Sequence, residues 1–308
     1  MSARRITVVG SLNLDLVASV PSIPLPGQTL SASGLARHAG GKGANQAAAA
    51  ALAGGNVAMI GCHGSDGFET LLLETLRAKG VDLAGVQQVE GPTGMAFILV
   101  SADGQNSIVV IPGANGALSA EIVRAHREQL AGCAMILTQL ETPIASLGAT
   151  LEIAGEAGVP VMLDPAPARP LDGAVLRQVT WLTPNESEAA SLMGAAVPRD
   201  AAGRRGFAEK LLGLGPRNLL LKLGGDGVYI ATNTGLREHL PAYRVSAVDT
   251  TAAGDAFNGA MAVALTEGAD AVEAARFAGA AAALAVTRPG AMDSLATRAE
   301  IDGFRKSA

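Results

Sequence analysis

Apolar positions along the chain follow two rhythms, one of strands and one of helices. Short apolar runs closed by glycine, proline or polar residues predict strands, and apolar positions three and four apart predict helices. Residues 6–10 read as a buried strand. Across 11–17 polar and apolar residues alternate, which sets Ser11, Asn13 and Asp15 on one face of extended chain. An edge strand turned to solvent fits that alternation as well as a polar binding face does. Pro21, Pro24, Pro26 and Gly27 mark a turn, and extended chain resumes to about His38. An alanine-rich helix is predicted over 44–53, a strand over 56–61, an amphipathic helix over 66–79 and a short strand over 86–89. Residues 94–101 and 107–111, joined by Ala102-Asp103-Gly104-Gln105, form a hairpin pattern.

From residue 118 the alternation is regular. A helix over 119–129 leads to strand 134–139, helix 143–157, strand 159–164, a short helix near 174–178 and strand 181–184. Helices over 185–193 and 200–213 precede strand 218–223. Apolar or small residues at 256, 257, 260, 261, 264 and 265 predict a helix with one buried face, and an Ala/Gly-rich helix follows over 271–287. This order predicts the α/β class, a mostly parallel sheet flanked by helices on both faces, with the isolated hairpin as a small accessory β-sheet. Ligands in such sheets lie beyond the carboxyl ends of the strands. Glu141, Asp164, Asn185 and the turn 224–227 fall there.

Composition narrows the function. A chain of 308 residues, 49% hydrophobic and poor in aromatics, has ample material for a close-packed core. A net charge of -5 without a long basic run argues against nucleic acid as the main partner. The most apolar late segment, 278–287, is too short and too rich in alanine and glycine to span a bilayer, so no membrane partner is expected. Arg4-Arg5 runs straight into the first strand without a secretory pattern, and Cys62 and Cys133 have no metal or redox spacing, so a cytoplasmic protein is expected. The four histidines are scattered without HExxH, which argues against a zinc hydrolase.

The candidate chemistry centres on residues 248–261. Ala252, Ala253 and Gly254 leave backbone amides open to an anion where a helix begins, and Asp255 follows directly. A carboxylate beside an anion nest suits phosphoryl transfer to an alcohol: the carboxylate takes the hydroxyl proton and the nest holds phosphate charge. An ordinary helix cap accounts for Asp255 equally well. Gly40-Gly41-Lys42-Gly43 opens the alanine helix but lacks the G-x-x-x-x-G-K-[ST] pattern, and G-x-G-x-x-G is absent throughout. Glycines there suit close ligand approach or a structural turn. Glu141 and Asn185-Glu186-Ser187-Glu188 read equally as helix-start residues, and 222–227 as a hairpin turn.

Thr251-Ala252-Ala253-Gly254-Asp255 with Phe257-Asn258-Gly259, and Gly40-Gly41-Lys42-Gly43-Ala44-Asn45, resemble the two signatures of the ribokinase family of sugar kinases, with matching segments from about 6 to 304. The resemblance implies one kinase domain over 1–308 with a discontinuous β lid from about 12–38 and 94–112, which often forms the homodimer contact. It implies transfer of phosphate from ATP, with Mg2+, to the 5-hydroxyl of D-ribose. By the same resemblance Asn13, Asp15, Gly41, Lys42, Asn45 and Glu141 hold the sugar, Asp255 is the base, and Ala252, Ala253 and Gly254 form the anion hole. Asn185, Glu188, Lys222, Gly224, Gly225, Gly227, Gly254, Asn258 and Gly279 lie around the nucleotide. Asp249, Thr251, Ala285, Arg288, Gly290 and Ser294 form a monovalent-cation cage for K+. Lys222 stands where relatives often have Thr, and Gly279 where they often carry a larger polar residue. A family kinase for 2-deoxyribose, fructose or a nucleoside is the alternative, and a non-catalytic sugar-binding regulator a weaker one.

Overall fold

The computed structural model describes residues 5–307; Arg4 of the basic pair lies outside the described residues. In chain order the strands are β1 (Arg5–Val9), β2 (Asn13–Val20), β3 (Gly34–Gly40), β4 (Asn56–His63), β5 (Asp82–Gln88), β6 (Gly94–Ser101), β7 (Asn106–Ile111), β8 (Met135–Thr138), β9 (Val161–Leu163), β10 (Trp181–Leu182), β11 (Asn218–Lys222), β12 (Val228–Thr232) and β13 (Arg237–Leu240). Nine of them form one sheet in the order β13-β12-β11-β10-β9-β8-β1-β4-β5. All pairings from β11 to β5 are parallel, while β12 and β13 add antiparallel at one edge.

The sheet is buried on both faces because its strands are apolar on both. Along β1, Ile6 and Val8 join one core cluster and Val9 joins the other, as side-chain alternation requires. The helices Lys42–Leu52, Ala253–Glu267 and Ala271–Ala285 cover the first face, and Ile144–Ala157 and Ala201–Gly213 the second. Small residues bring the first group close. A Cβ on Gly259 would stand 2.7 Å from Ala49 Cβ and from Ala50 N, so only glycine permits this approach of Ala253–Glu267 to Lys42–Leu52. After β1 the chain moves to β4 on one side, and after β8 to β9 on the other, so the strand order reverses between β1 and β8. The crevice beyond their carboxyl ends is where such a sheet receives ligands.

The remaining strands form a four-stranded sheet, β3-β2-β6-β7, in which the expected hairpin β6–β7 is joined by β2 and β3. Several elements differ from expectation. Helix 66–79 begins only at Glu69, because the Asp66 carboxylate is occupied by Thr93 N and Oγ1 and Gly67 takes a left-handed turn. The helix expected over 119–129 is broken at His126 into Ala120–Ala125 and Arg127–Ala131. The helix expected to 287 ends at Ala285, where Thr287 N and Arg288 N fold back onto Leu284 O and Ala285 O. β12, β13 and the helix Arg298–Ser307 are additions to the expected elements.

Candidate active site

The switch-point crevice is walled by the turns that follow β1 and β8. Ser11 Oγ donates to Glu141 Oε2 at 2.5 Å and accepts from Gly43 N at 3.2 Å, while Lys42 N donates to the same Glu141 oxygen at 3.0 Å. Glu141 thus sits at the start of the helix Lys42–Leu52, where exposed amides and the helix dipole favour negative charge. Gly41 holds φ 90°, and a Cβ there would stand 2.8 Å from Asn13 N, so the turn admits only glycine. Asn115 fixes the other side. Its amide bonds both polar backbone groups of Leu12 and donates to Asn13 Oδ1 at 2.7 Å, which orients the Asn13 side chain.

Asp255 lies across from these residues on the helix Ala253–Glu267. It is 5% exposed and does not cap that helix; the N-cap is Ala252, in the left-handed conformation at φ 59°. Its oxygens instead accept from a different helix: Oδ2 from Asn45 Nδ2 and Oδ1 from Gln46 Nε2, both at 3.0 Å. The plain-cap reading of Asp255 is therefore excluded. A non-glycine residue held left-handed is a strained conformation that surrounding structure must enforce, and at position 252 it shapes the turn leading to Gly254.

A second polar cluster lies at the ends of β9, β10 and β11. Asn185 and Lys222 are bridged through their backbones, and Lys222 Nζ donates to Asp164 Oδ1 at 3.1 Å. A side chain at 254 would meet the Lys222 ammonium at 3.3 Å, so this cation faces the nest. Asn185 and Glu188 form a reciprocal capping box, with Asn185 Oδ1 accepting from Glu188 N and Glu188 Oε2 from Asn185 N. Gln46 Nε2 also donates to Asp164 Oδ2 at 3.0 Å, which joins this cluster to Asp255.

The carboxylates are crowded, and burial and their mutual charges shift their pKa values. Burial, then the charges of Glu141 and Asp255, push the Asp15 carboxyl up to about 7. Burial pushes Asp255 up to about 6 against the pull of Lys42, with Asp164 adding to the rise and the Gln46 and Asn45 amides opposing it. Burial works to lower Lys42, but Asp255, Asp164, Glu141 and Glu188 together hold it above its ordinary value, so it stays charged. Glu188 is raised by burial and by Asp164, with Lys222 opposing.

Asp249 ties two turns together. Its Oδ1 accepts from Thr251 N and Oγ1, and its Oδ2 from Gly290 N at 2.9 Å. Partial burial would raise its pKa, yet these bonds hold it below the usual range. Ser294 Oγ is buried and donates to Ala291 O, while the Arg288 guanidinium turns away to Glu300. A single carboxylate suits a large monovalent cation better than magnesium, which demands tight octahedral geometry, but the partners of Asp249 here are N–H and O–H donors. Among the described residues no group of three or more His, Cys, Asp or Glu stands placed to hold a metal ion.

Asn258 is closed off from the crevice, whereas Gly279 is half-buried. Asn258 is fully buried with both amide atoms unpartnered, and Gly279 lies 3.6 Å, at a Cβ position, from the Tyr243 ring. Gly224, Gly225 and Gly227 form the turn between β11 and β12. Sequence reasoning missed Gln46, Gln139 and Asn115. The available signal for Gln46 was a polar Asn45-Gln46 pair inside an otherwise alanine-rich helix.

A polar crevice at the switch point of such a sheet suits a small-molecule enzyme, and comparison gives the class: the pfkB family of carbohydrate kinases matches residues 3–298. The chain belongs to that family. Within it, the chain is similar to a ribokinase from Haemophilus influenzae, 40% identical over 99% of each chain. Among solved structures, a Thermotoga maritima ribokinase superposes with TM-score 0.89 at 39% identity, covering 98% of this chain and 99% of the other. An Arabidopsis thaliana ribokinase complexed with ribose and ATP gives TM-score 0.90 at 33% identity over 99% of each. No described helix is long and apolar enough to cross a membrane, and both cysteines are free and buried.

Proposed function

We propose that this protein phosphorylates D-ribose at its 5-hydroxyl with ATP, using Asp255 as the general base. The observation that carries the reading is Asp255 itself: buried, held by two amides from another helix, and set directly after a small-residue turn that faces a lysine. Asn13 and Asp15 from β2, with Lys42, Asn45 and Glu141, supply hydrogen-bonding groups for a polyol. The ionised Asp255 takes the hydroxyl proton as the sugar oxygen bonds to the terminal phosphorus and the bond from that phosphorus to the bridging oxygen of ADP breaks. The amides of 252–254 and the Lys222 ammonium stabilise the charge on the transferring group.

Mg2+, when bound with the nucleotide, neutralises phosphate charge, and Glu188 and Asp164 are the carboxylates on that side. K+ would be held by Asp249 and by backbone oxygens at Thr251, Ala285, Arg288 and Gly290, near Ser294, and would fix the shape of the nest. The protein works in the cytoplasm as a homodimer joined through the lid.

The test compares turnover of ribose, 2-deoxyribose, fructose and adenosine by the wild type and by Asp255→Asn. Ribose is expected to give the highest kcat/KM, since a site built around a hydroxyl rejects an analogue lacking it. Asp255→Asn should lower kcat by roughly 10²–10⁴-fold, the usual share of a general base, while still binding ribose in calorimetry. Near-normal turnover by Asp255→Asn would end the base assignment, and equal efficiency with adenosine would end the sugar assignment.

A further inference from the structure

Gln46 is 1% exposed, on the helix between the sugar side of the crevice and the nucleotide side. Its Nε2 donates to Asp255 Oδ1 and Asp164 Oδ2, both at 3.0 Å, and its Oε1 accepts from Gln139 Nε2 at 2.7 Å. An amide has two unlike ends, a pair of donors and an acceptor. With a Gln139 N–H on the oxygen, the nitrogen end must face the carboxylates, and both of its hydrogens are then used. Room for this arrangement is reserved elsewhere: a Cβ on Gly10 would stand 2.2 Å from Gln139 Oε1. Neighbouring positions 44 and 47–50 are buried alanines, so an apolar residue would fill position 46 without desolvating an amide.

We propose that Gln46 is a positioning residue for phosphoryl transfer, which fixes the orientation of Asp255 by donating one amide hydrogen to its carboxylate while the other holds Asp164 in place. The inference rests on the reading of Asp255 as the base. Gln46 is shut off from the open crevice, so it acts through Asp255 and not on a ligand. The charged groups that act on Asp255 are Lys42 from the same helix as Gln46, Asp164 after β9 and Asp15 from β2. Of the hydrogen bonds that favour its ionised form, one comes from Asn45 and the other from Gln46. Removing the second raises the pH at which the base is lost.

Gln46→Met keeps the length of the side chain and removes its donors. Gln139→Met leaves Gln46 in place but frees its amide to turn over. The experiment measures kcat and ribose KM from pH 5 to 9 for the full chain, with Asp255→Asn as reference. In Gln46→Met the acid limb of kcat should move up by about one pH unit, the order of shift expected for a lost hydrogen bond to a buried carboxylate. That is about tenfold lower kcat on the acid side of the limb. Ribose KM should change by less than about twofold, because no binding contact is removed. Gln139→Met should move the limb the same way by less, and it carries the test alone if Gln46→Met does not fold. Limbs that coincide with the wild type, or a loss confined to KM, would overturn the proposal. Should Asp255→Asn retain turnover, the base assignment fails first; should it be inactive while the variant limbs stay in place, only the role of Gln46 fails.

Discussion

Asp15 is a carboxyl kept where charge is disfavoured, raised to about 7 by burial and by its acidic neighbours Glu141 and Asp255. An unfolded Asp titrates near ~3.9. The stability that folded-state protonation gives is therefore complete below that value and lost as pH rises through about 7. Asp15→Asn removes the charge, so its melting temperature should exceed that of the wild type by about 2–4 °C at alkaline pH, the effect of roughly 1 kcal/mol in a chain of this size. The gain should shrink as the pH is lowered towards 5.5, and ribose KM should rise. Melting curves at pH 5.5 and 8 check this; an equal gain at both would show that charge burial is not the cause. Asn13, Asp15, Lys42, Asn45 and Asp255 could be singled out as candidates in the sequence because short local patterns carry them. Gln46 was not, although it adjoins Asn45, because its meaning lies in Asp255, 209 positions away. Asn115 was hidden likewise, its partner Asn13 lying 102 positions off.

At the scale of elements, the turns at 249–251 and 290 are stitched by one carboxylate, and the nest begins directly after the first of them. If a monovalent ion completes this joint, it holds the nest in its phosphate-receiving shape before ATP arrives, a preorganisation effect. Turnover in buffer free of sodium and potassium, titrated with potassium chloride against choline chloride, should rise severalfold in the wild type and little in Asp249→Ala. A flat wild-type titration would remove the ion from the mechanism. The βα alternation made the parallel part of the sheet legible from periodicity alone. It could not announce β12 and β13, since antiparallel strands added to the edge break the rule that revealed the rest. The break at His126 was equally hidden, because the apolar spacing runs on through it.

For the whole molecule the four-stranded sheet is the unfinished surface. β7 is exposed along its length, and Leu35, Phe97 and Val109 on one face, with Ile108 and Val110 on the other, leave apolar side chains in water. An exposed apolar edge of this extent marks an association site. Sedimentation should show a dimer in the wild type and a monomer in the double variant Ile108→Asp, Val109→Asp; a monomeric wild type would refute the lid contact. The join between Asn45 and Asp255 spans 210 positions, and it has a meaning for the protein while it is being made. Synthesis runs from the N-terminus, so β2 and Asn45 leave the ribosome well before Ala252 to Asp255. If Asp255 is the base and 252–254 the phosphate turn, a nascent chain short of residue 252 lacks both. On the reading of Asp255 as the base, a copy halted before residue 252 would spend no ATP.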